Sequence, residues 1–138
     1  MRRVFLDSNV FFYAKAMDRV YGRPCAEVLK SVASGETKGS ISALVPLEVA
    51  NAMRKFGLGR RVRDEVRAMF SLGLEVHPLE ASDSLEAADV AGETGASPYD
   101  CAHAVVMRRY GIKDIVSADR DFERFGWVER VDPKAFRA

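Results

Sequence analysis

Arg2-Arg3-Val4-Phe5-Leu6-Asp7-Ser8-Asn9 decides the reading of this chain. Val4-Phe5-Leu6 is a short apolar run rich in strand formers, cut off by a carboxylate and two small polar residues. Apolar periodicity resumes in Val10-Phe11-Phe12-Tyr13-Ala14 at a spacing that suits a helix from about Asn9 to Met17. A buried strand, a polar turn and a helix open an α/β domain, in which ligands sit beyond the carboxyl ends of the strands. Asp7 is thereby placed at the rim of a site, with Ser8 or Asn9 as the cap of the helix behind it. Alone, a strand-terminal aspartate is more often a turn or cap residue than a catalyst. Its meaning depends on which other acids reach the same rim.

The remaining chain repeats the alternation. Pro24 starts a second helix that carries Val28, Leu29 and Val32 and ends at Ser34-Gly35. Ile41 to Leu44 is a candidate strand, and the helix Val45 to Phe56 follows, with Leu47, Val49, Ala50 and Met53 as its apolar side. An amphipathic helix spans Arg60 to Leu72, with Val62, Val66, Met69 and Phe70 inward. Leu74 to Val76 is a strand, Ser82-Asp83 caps a helix bearing Leu85, Ala88 and Val90, and Pro98 to Tyr110 is the next helix. Asp114 to Ser117 is a strand, Asp119 to Arg124 a polar or single helical turn, and Trp127 to Val131 an edge strand. The expectation is a three-layer α/β/α domain over residues 1–138, with a central parallel sheet of about four to five strands.

At 138 residues and 48% apolar composition the chain can bury an ordinary core, and its net charge of +1 gives no global pull toward nucleic acid or membrane. No apolar run approaches the roughly 20 residues of a membrane span, and Arg2-Arg3 lacks the apolar stretch of a secretory signal. An intracellular, cytoplasmic protein is expected. Cys25 and Cys101 stand in no metal-ligand spacing and suit free thiols, with a disulfide between them left open.

Four acids fall on one edge of the expected sheet. Asp7 ends the first strand, Glu48 and Asp100 lie in the first turns of their helices, and Asp119 follows the strand ending at Ser117. Helix dipoles alone favour acids at those first turns. Glu48 and Asp100, however, have apolar neighbours, and no Lys or Arg follows before Arg54 or Arg108. A carboxylate in such surroundings requires a compensating charge, hydrogen bond or proton. All-oxygen ligands select hard cations such as Mg²⁺ or Mn²⁺, whose typical chemistry on clustered carboxylates is phosphoryl transfer or phosphodiester hydrolysis. Neither His77 nor His103 is needed for this arrangement, and His103 is assigned to helix packing or solvent.

The acidic segments resemble those of the PIN-domain ribonucleases, and within them the small toxins of the VapC type. Phe5-Leu6-Asp7-Ser8-Asn9-Val10 is similar to the family's first acidic strand, and Leu47-Glu48-Val49-Ala50-Asn51-Ala52 to its second motif. Ser97-Pro98-Tyr99-Asp100-Cys101-Ala102-His103-Ala104 and Val116-Ser117-Ala118-Asp119-Arg120-Asp121-Phe122 resemble the third and fourth. The resemblance implies a metal-dependent endoribonuclease in which Asp7 and Asp100 bind Mg²⁺ or Mn²⁺ most directly. Glu48 and Asp119 complete the shell and orient the attacking water, while Ser8, Asn9 and Ser117 support the acids. It also implies a homodimer or higher homo-oligomer, an RNA substrate and a protein antitoxin that occupies the active-site groove. Asp121 is either a fifth acid or a cap beside Arg120 and Arg124. Arg54, Lys55, Arg60 and Arg61, followed by Arg63 and Arg67, are either an RNA-binding segment or a solvated helix face. A DNA nuclease or RNA-processing enzyme of the same fold, and a non-catalytic acidic-pocket binding module, are the alternatives. An aspartyl-phosphate phosphatase is set aside, because Asn9 stands where a second Asp would be needed.

Overall fold

The computed structural model describes all of residues 1–138. Five strands form one sheet in which every neighbouring pair is parallel: β1 (Arg2–Leu6), β2 (Thr37–Ser42), β3 (Glu75–His77), β4 (Asp114–Val116) and β5 (Glu129–Val131). Their spatial order is β3-β2-β1-β4-β5, so β1 occupies the centre and β5 an edge, as expected. Val4, Phe5 and Leu6 are completely buried, which explains why a strand this short is apolar without alternation.

Six helices complete the alternation: α1 (Ser8–Ala16), α2 (Gly22–Ala33), α3 (Val45–Lys55), α4 (Val62–Phe70), α5 (Ala81–Thr94) and α6 (Pro98–Arg109). From β1 the chain steps outward through α1 and α2 to β2, then through α3 and α4 to β3. It then crosses back through α5 and α6 to β4. Right-handed crossovers in opposite directions place α1–α4 on one face and α5–α6 on the other. The helix contacts agree: α1 packs on α2 and α3, α3 on α4, and α5 on α6. The strand order reverses between β1 and β4, and the crevice at such a reversal is where open α/β sheets bind ligands.

Several boundaries differ from the sequence expectation for identifiable reasons. β2 begins at Thr37, ahead of the apolar run at Ile41, because Thr37 to Ser40 pair residue by residue with Arg2 to Phe5 of β1. Ala43 and Leu44 already turn into α3. β3 lies one residue later than expected, and the last strand omits Trp127 and Val128. The basic helix starts as a 3-10 turn, Gly59–Arg61, before α4. α5 opens at Ala81 because Asp83 Oδ2 reaches back to accept from the Glu80 N–H at 2.8 Å. Its inward residues are Ala87 and Val90, while Leu85 and Ala88 are exposed. Leu47 and Phe70, assigned inward from the sequence, also face solvent. Cys25 and Cys101 are free and buried, and burial pushes the Cys25 thiol up to about 12.

Gly39 exists for packing. A Cβ there would lie 2.9 Å from Leu74 Cδ2 and 3.1 Å from both methyls of Val32. Gly39→Ala is therefore expected to lower unfolding free energy by about 1–3 kcal/mol. Gly59→Ala, where a Cβ meets nothing within 4 Å, serves as the near-neutral control. Urea denaturation of the two variants makes the comparison.

Candidate active site

Asp7 stands where β1 runs out. Its N–H donates to the Val116 carbonyl at 3.1 Å, so the pairing with β4 continues up to the acid. The residue is 5% exposed, and its carboxylate accepts three hydrogen bonds. The Ser8 N–H donates to Oδ1 at 2.8 Å, while Asn9 Nδ2 and Ser117 Oγ donate to Oδ2 at 3.0 and 2.6 Å. The first of these makes Asp7 itself the N-cap of α1, correcting the assignment of that cap to Ser8 or Asn9. Aspartate caps as well as serine, and Ser8 is already helical. Ser8 supports Asp7 through its backbone. Asn9 instead turns its side chain to Asp7, to Ser117 Oγ at 3.1 Å and to the Ala118 N–H at 3.4 Å.

Ser117 is fully buried and ties the two central strand ends together. Its Oγ accepts from Asn9 and from the Asp119 N–H at 3.0 Å while donating to Asp7. Arg130 Nη1, from β5, donates to the Ser117 carbonyl at 2.9 Å. Asp119 caps the 3-10 turn Arg120–Arg124 by accepting from the Asp121 N–H at 2.9 Å. The cap role left open for Asp121 thus falls to Asp119. Asp100, Asp119 and Asp121 each place a carboxylate oxygen within 4.8 Å of the other two. Asp121 is the exposed member and lies 3.7 Å from Arg124 Nη2.

Glu48 rises from the first turn of α3 beside Asp7. Its partner is the residue the sequence reading excluded. His103 faces neither solvent nor mere helix packing: it is fully buried, and its Nε2 lies 2.6 Å from Glu48 Oε1. The other ring nitrogen, Nδ1, is 3.2 Å from Ser42 Oγ at the end of β2. One ligand atom each of Asp7, Glu48 and His103 falls within a 4.8 Å group. The one signal in the sequence was a histidine inside Cys101–Met107, a run that proves to be entirely buried.

Burial comes first in the electrostatics, and like charge second. Burial, reinforced by Asp7 and Asp119, pushes the Asp100 carboxyl up to about 7, with His103 opposing the shift and Glu48 adding to it. Burial also holds the Asp7 carboxyl above its ordinary value, against His103 and the Ser117 and Ser8 hydrogen bonds. Burial disfavours the charged His103, but its bond to Glu48 and the charges of Glu48, Asp7 and Asp100 outweigh that and raise its pKa. The acids fall in two groups, Asp7 with Glu48 and Asp100 with Asp119 and Asp121, and the Asp100 carboxyl feels the charges of Asp7 and Glu48. An all-oxygen donor set of this kind is rich in negative charge. It fits a hard divalent cation.

An open hollow of about 460 Å³ adjoins Glu48, lined by Leu44, Leu47, Asn51, Ala52, Lys55 and Tyr99. Of the basic residues singled out in the sequence, only Lys55 lines it. Arg54 turns to Asn51 Oδ1 at 3.1 Å, and Arg60 and Arg61 sit exposed in the following 3-10 turn.

The chain matches the PIN domain family over residues 4–128. This chain belongs to the PIN domain family. No curated protein matches it in sequence. Solved PIN-like structures share its fold. The Mycobacterium tuberculosis toxin VapC20, described as cleaving the sarcin–ricin loop, superposes with a TM-score of 0.77 at 19% identity, covering 91% of this chain and 96% of that one. DNA-bound VapBC from Salmonella typhimurium gives 0.70 at 21% identity, with 96% and 99% coverage. VapBC2 from Rickettsia felis, bound to a promoter DNA fragment, gives 0.68 at 17% identity, with 94% and 99% coverage. At these identities the likeness is one of fold. The PIN domain's sheet edge is where this chain gathers its acids.

The raised Asp100 pKa has a consequence for stability. Between its ordinary 3.8 and about 7 the folded protein holds a proton that the unfolded chain releases. Folding stability conferred by that proton therefore falls as pH rises through this window. Metal-free protein is expected to melt at a lower temperature at pH 7.5 than at pH 5, and Asp100→Asn to reduce the difference. Calorimetry at the two pH values measures it.

Proposed function

We propose that this chain is a metal-dependent endoribonuclease that hydrolyses RNA phosphodiester bonds and acts as the toxin of a toxin–antitoxin pair. The observation carrying this reading is the pair of acidic groups, Asp7 with Glu48 and Asp100 with Asp119, coupled through the Asp7 and Glu48 charges felt at Asp100, in a PIN domain. Further support comes from structural relatives that are themselves toxins or toxin–antitoxin complexes. Asp7 and Asp100 would hold Mg²⁺ or Mn²⁺ most directly, with Glu48 and Asp119 completing the shell, and such a cation would supply Lewis acidity and compensate charge on the phosphate oxygens.

The chain's own residues supply position. Ser117, Asn9 and the Ser8 amide fix the Asp7 carboxylate by three donors. Glu48 is held from behind by His103, and Asp119 by the turn it caps. Glu48 and Asp119 orient the attacking water, and Lys55 at the neighbouring hollow offers a charge to RNA phosphates. In the cell the protein is a cytoplasmic homodimer held inactive by an antitoxin that fills the groove. No helix is long and apolar enough to cross a membrane.

Asp7→Asn and Asp100→Asn are expected to lower RNA cleavage by at least about a hundredfold and to relieve growth inhibition on expression, with far-UV circular dichroism unchanged. Chelation should abolish the wild-type activity and Mn²⁺ should restore it. Cleavage retained by both variants overturns the reading. Preferential cleavage of single-stranded DNA in parallel assays would move the substrate class from RNA to DNA.

A further inference from the structure

Three polar side chains from three elements line up behind the acidic rim. The Leu44 N–H donates to Ser42 Oγ at 3.3 Å, which leaves the Ser42 hydroxyl proton free to donate to His103 Nδ1 at 3.2 Å. Satisfied in this way, Nδ1 is an acceptor and the ring carries its proton on Nε2, facing Glu48 Oε1 at 2.6 Å. Nε2 donates equally in the doubly protonated ring, so its direction does not depend on titration. Ser42 closes β2, His103 lies mid-α6 and Glu48 opens α3, so the relay runs between helices packed on opposite faces of the sheet. Phe5 of the central strand packs against the imidazole with ring centroids 5.5 Å apart. His103 has no exposed surface, whereas the Glu48 side chain keeps 23% of its own. The ring is immobilised and the carboxylate is the part that reaches solvent.

We propose that His103, set by Ser42, is the positioning residue for Glu48: it occupies Oε1 and leaves Oε2 to face the acidic rim as a metal-shell oxygen. This rests on the reading of the rim as a metal centre. Buried against Phe5 and engaged at both nitrogens, His103 supports the shell from behind instead of entering it. Hydrogen-bonded partners behind metal-binding carboxylates typically contribute 10–100-fold to metal affinity.

Mn²⁺ titration by calorimetry, with thermal melts as the folding control, tests the assignment in the full chain. His103→Leu fills the space without a donor and is expected to weaken Mn²⁺ binding by about 10–100-fold. His103→Gln restores an N–H toward Glu48 and should recover most of the affinity, and Ser42→Ala should lose part of it. Combining His103→Leu with Glu48→Gln should cost no more affinity than Glu48→Gln alone, because the histidine acts through that carboxylate. Should His103→Leu fail to fold, the Gln and Ser42→Ala variants carry the same comparison. The proposal is overturned if folded His103→Leu binds Mn²⁺ as wild type does. It is overturned equally if His103→Gln is as weak as His103→Leu, or if the two losses add in the double variant, the pattern of a direct ligand. Absence of Mn²⁺ binding by the wild type would overturn the reading of the rim as well.

Discussion

The burial of mutually repelling carboxylates is the constraint on which this molecule turns. Two of the acids have their ionised forms disfavoured first by burial and then by like charge, Asp100 by Asp7, Asp119 and Glu48, and Asp7 by Glu48. The scaffold meets this repulsion with fixed dipoles. Asp7 caps α1, and Glu48 and Asp100 sit in the first turns of α3 and α6, so three helix N-termini direct partial positive charge at the cluster. Donors on Asp7 and Glu48 add local compensation. What remains uncompensated is the negative charge on which the proposed cation site rests.

This arrangement also explains the division of labour in the sheet. β1 must be central, because Asp7 needs β4 on one side to bring Ser117 and β2 on the other to bring Ser42 and, through it, His103. The residues with the tightest geometric demands sit on strand ends and helix starts, where backbone hydrogen bonds fix position. Lys55 stands at the far end of α3, exposed.

The four principal acids were legible because each sits at a local signal: a strand terminus, a proline-opened helix or the end of an apolar triplet. The parallel α/β order then assigns them to one edge without knowledge of any contact. His103 was not legible, since its partners Ser42 and Glu48 are 61 and 55 residues distant and only the tertiary fold brings them together. β2 was misplaced for a related reason. Lys38 and Gly39 carry weak strand preference, and Gly39 is dictated by the approach of Val32 and Leu74, which no local pattern records. The cap of α1 was assigned one or two residues late because Ser8 and Asn9 are equally good cap types by sequence, and only the backbone shows that Ser8 is already helical.

The pairing of β1 with β4 carries a consequence in time. Asp7 and Ser117 are joined across 110 positions of sequence, and every strand pair in the sheet is parallel and separated by at least one crossover. Such non-local pairing makes loop closure costly and folding slow. During synthesis the first acid leaves the ribosome long before the strand that completes its surroundings. A nascent chain carrying Asp7, Glu48 and Asp100 still lacks Ser117 and Asp119, so the site can be assembled only after the last of these has emerged. Assembly of the acidic rim is thereby tied to the emergence of β4 and of the turn that follows it.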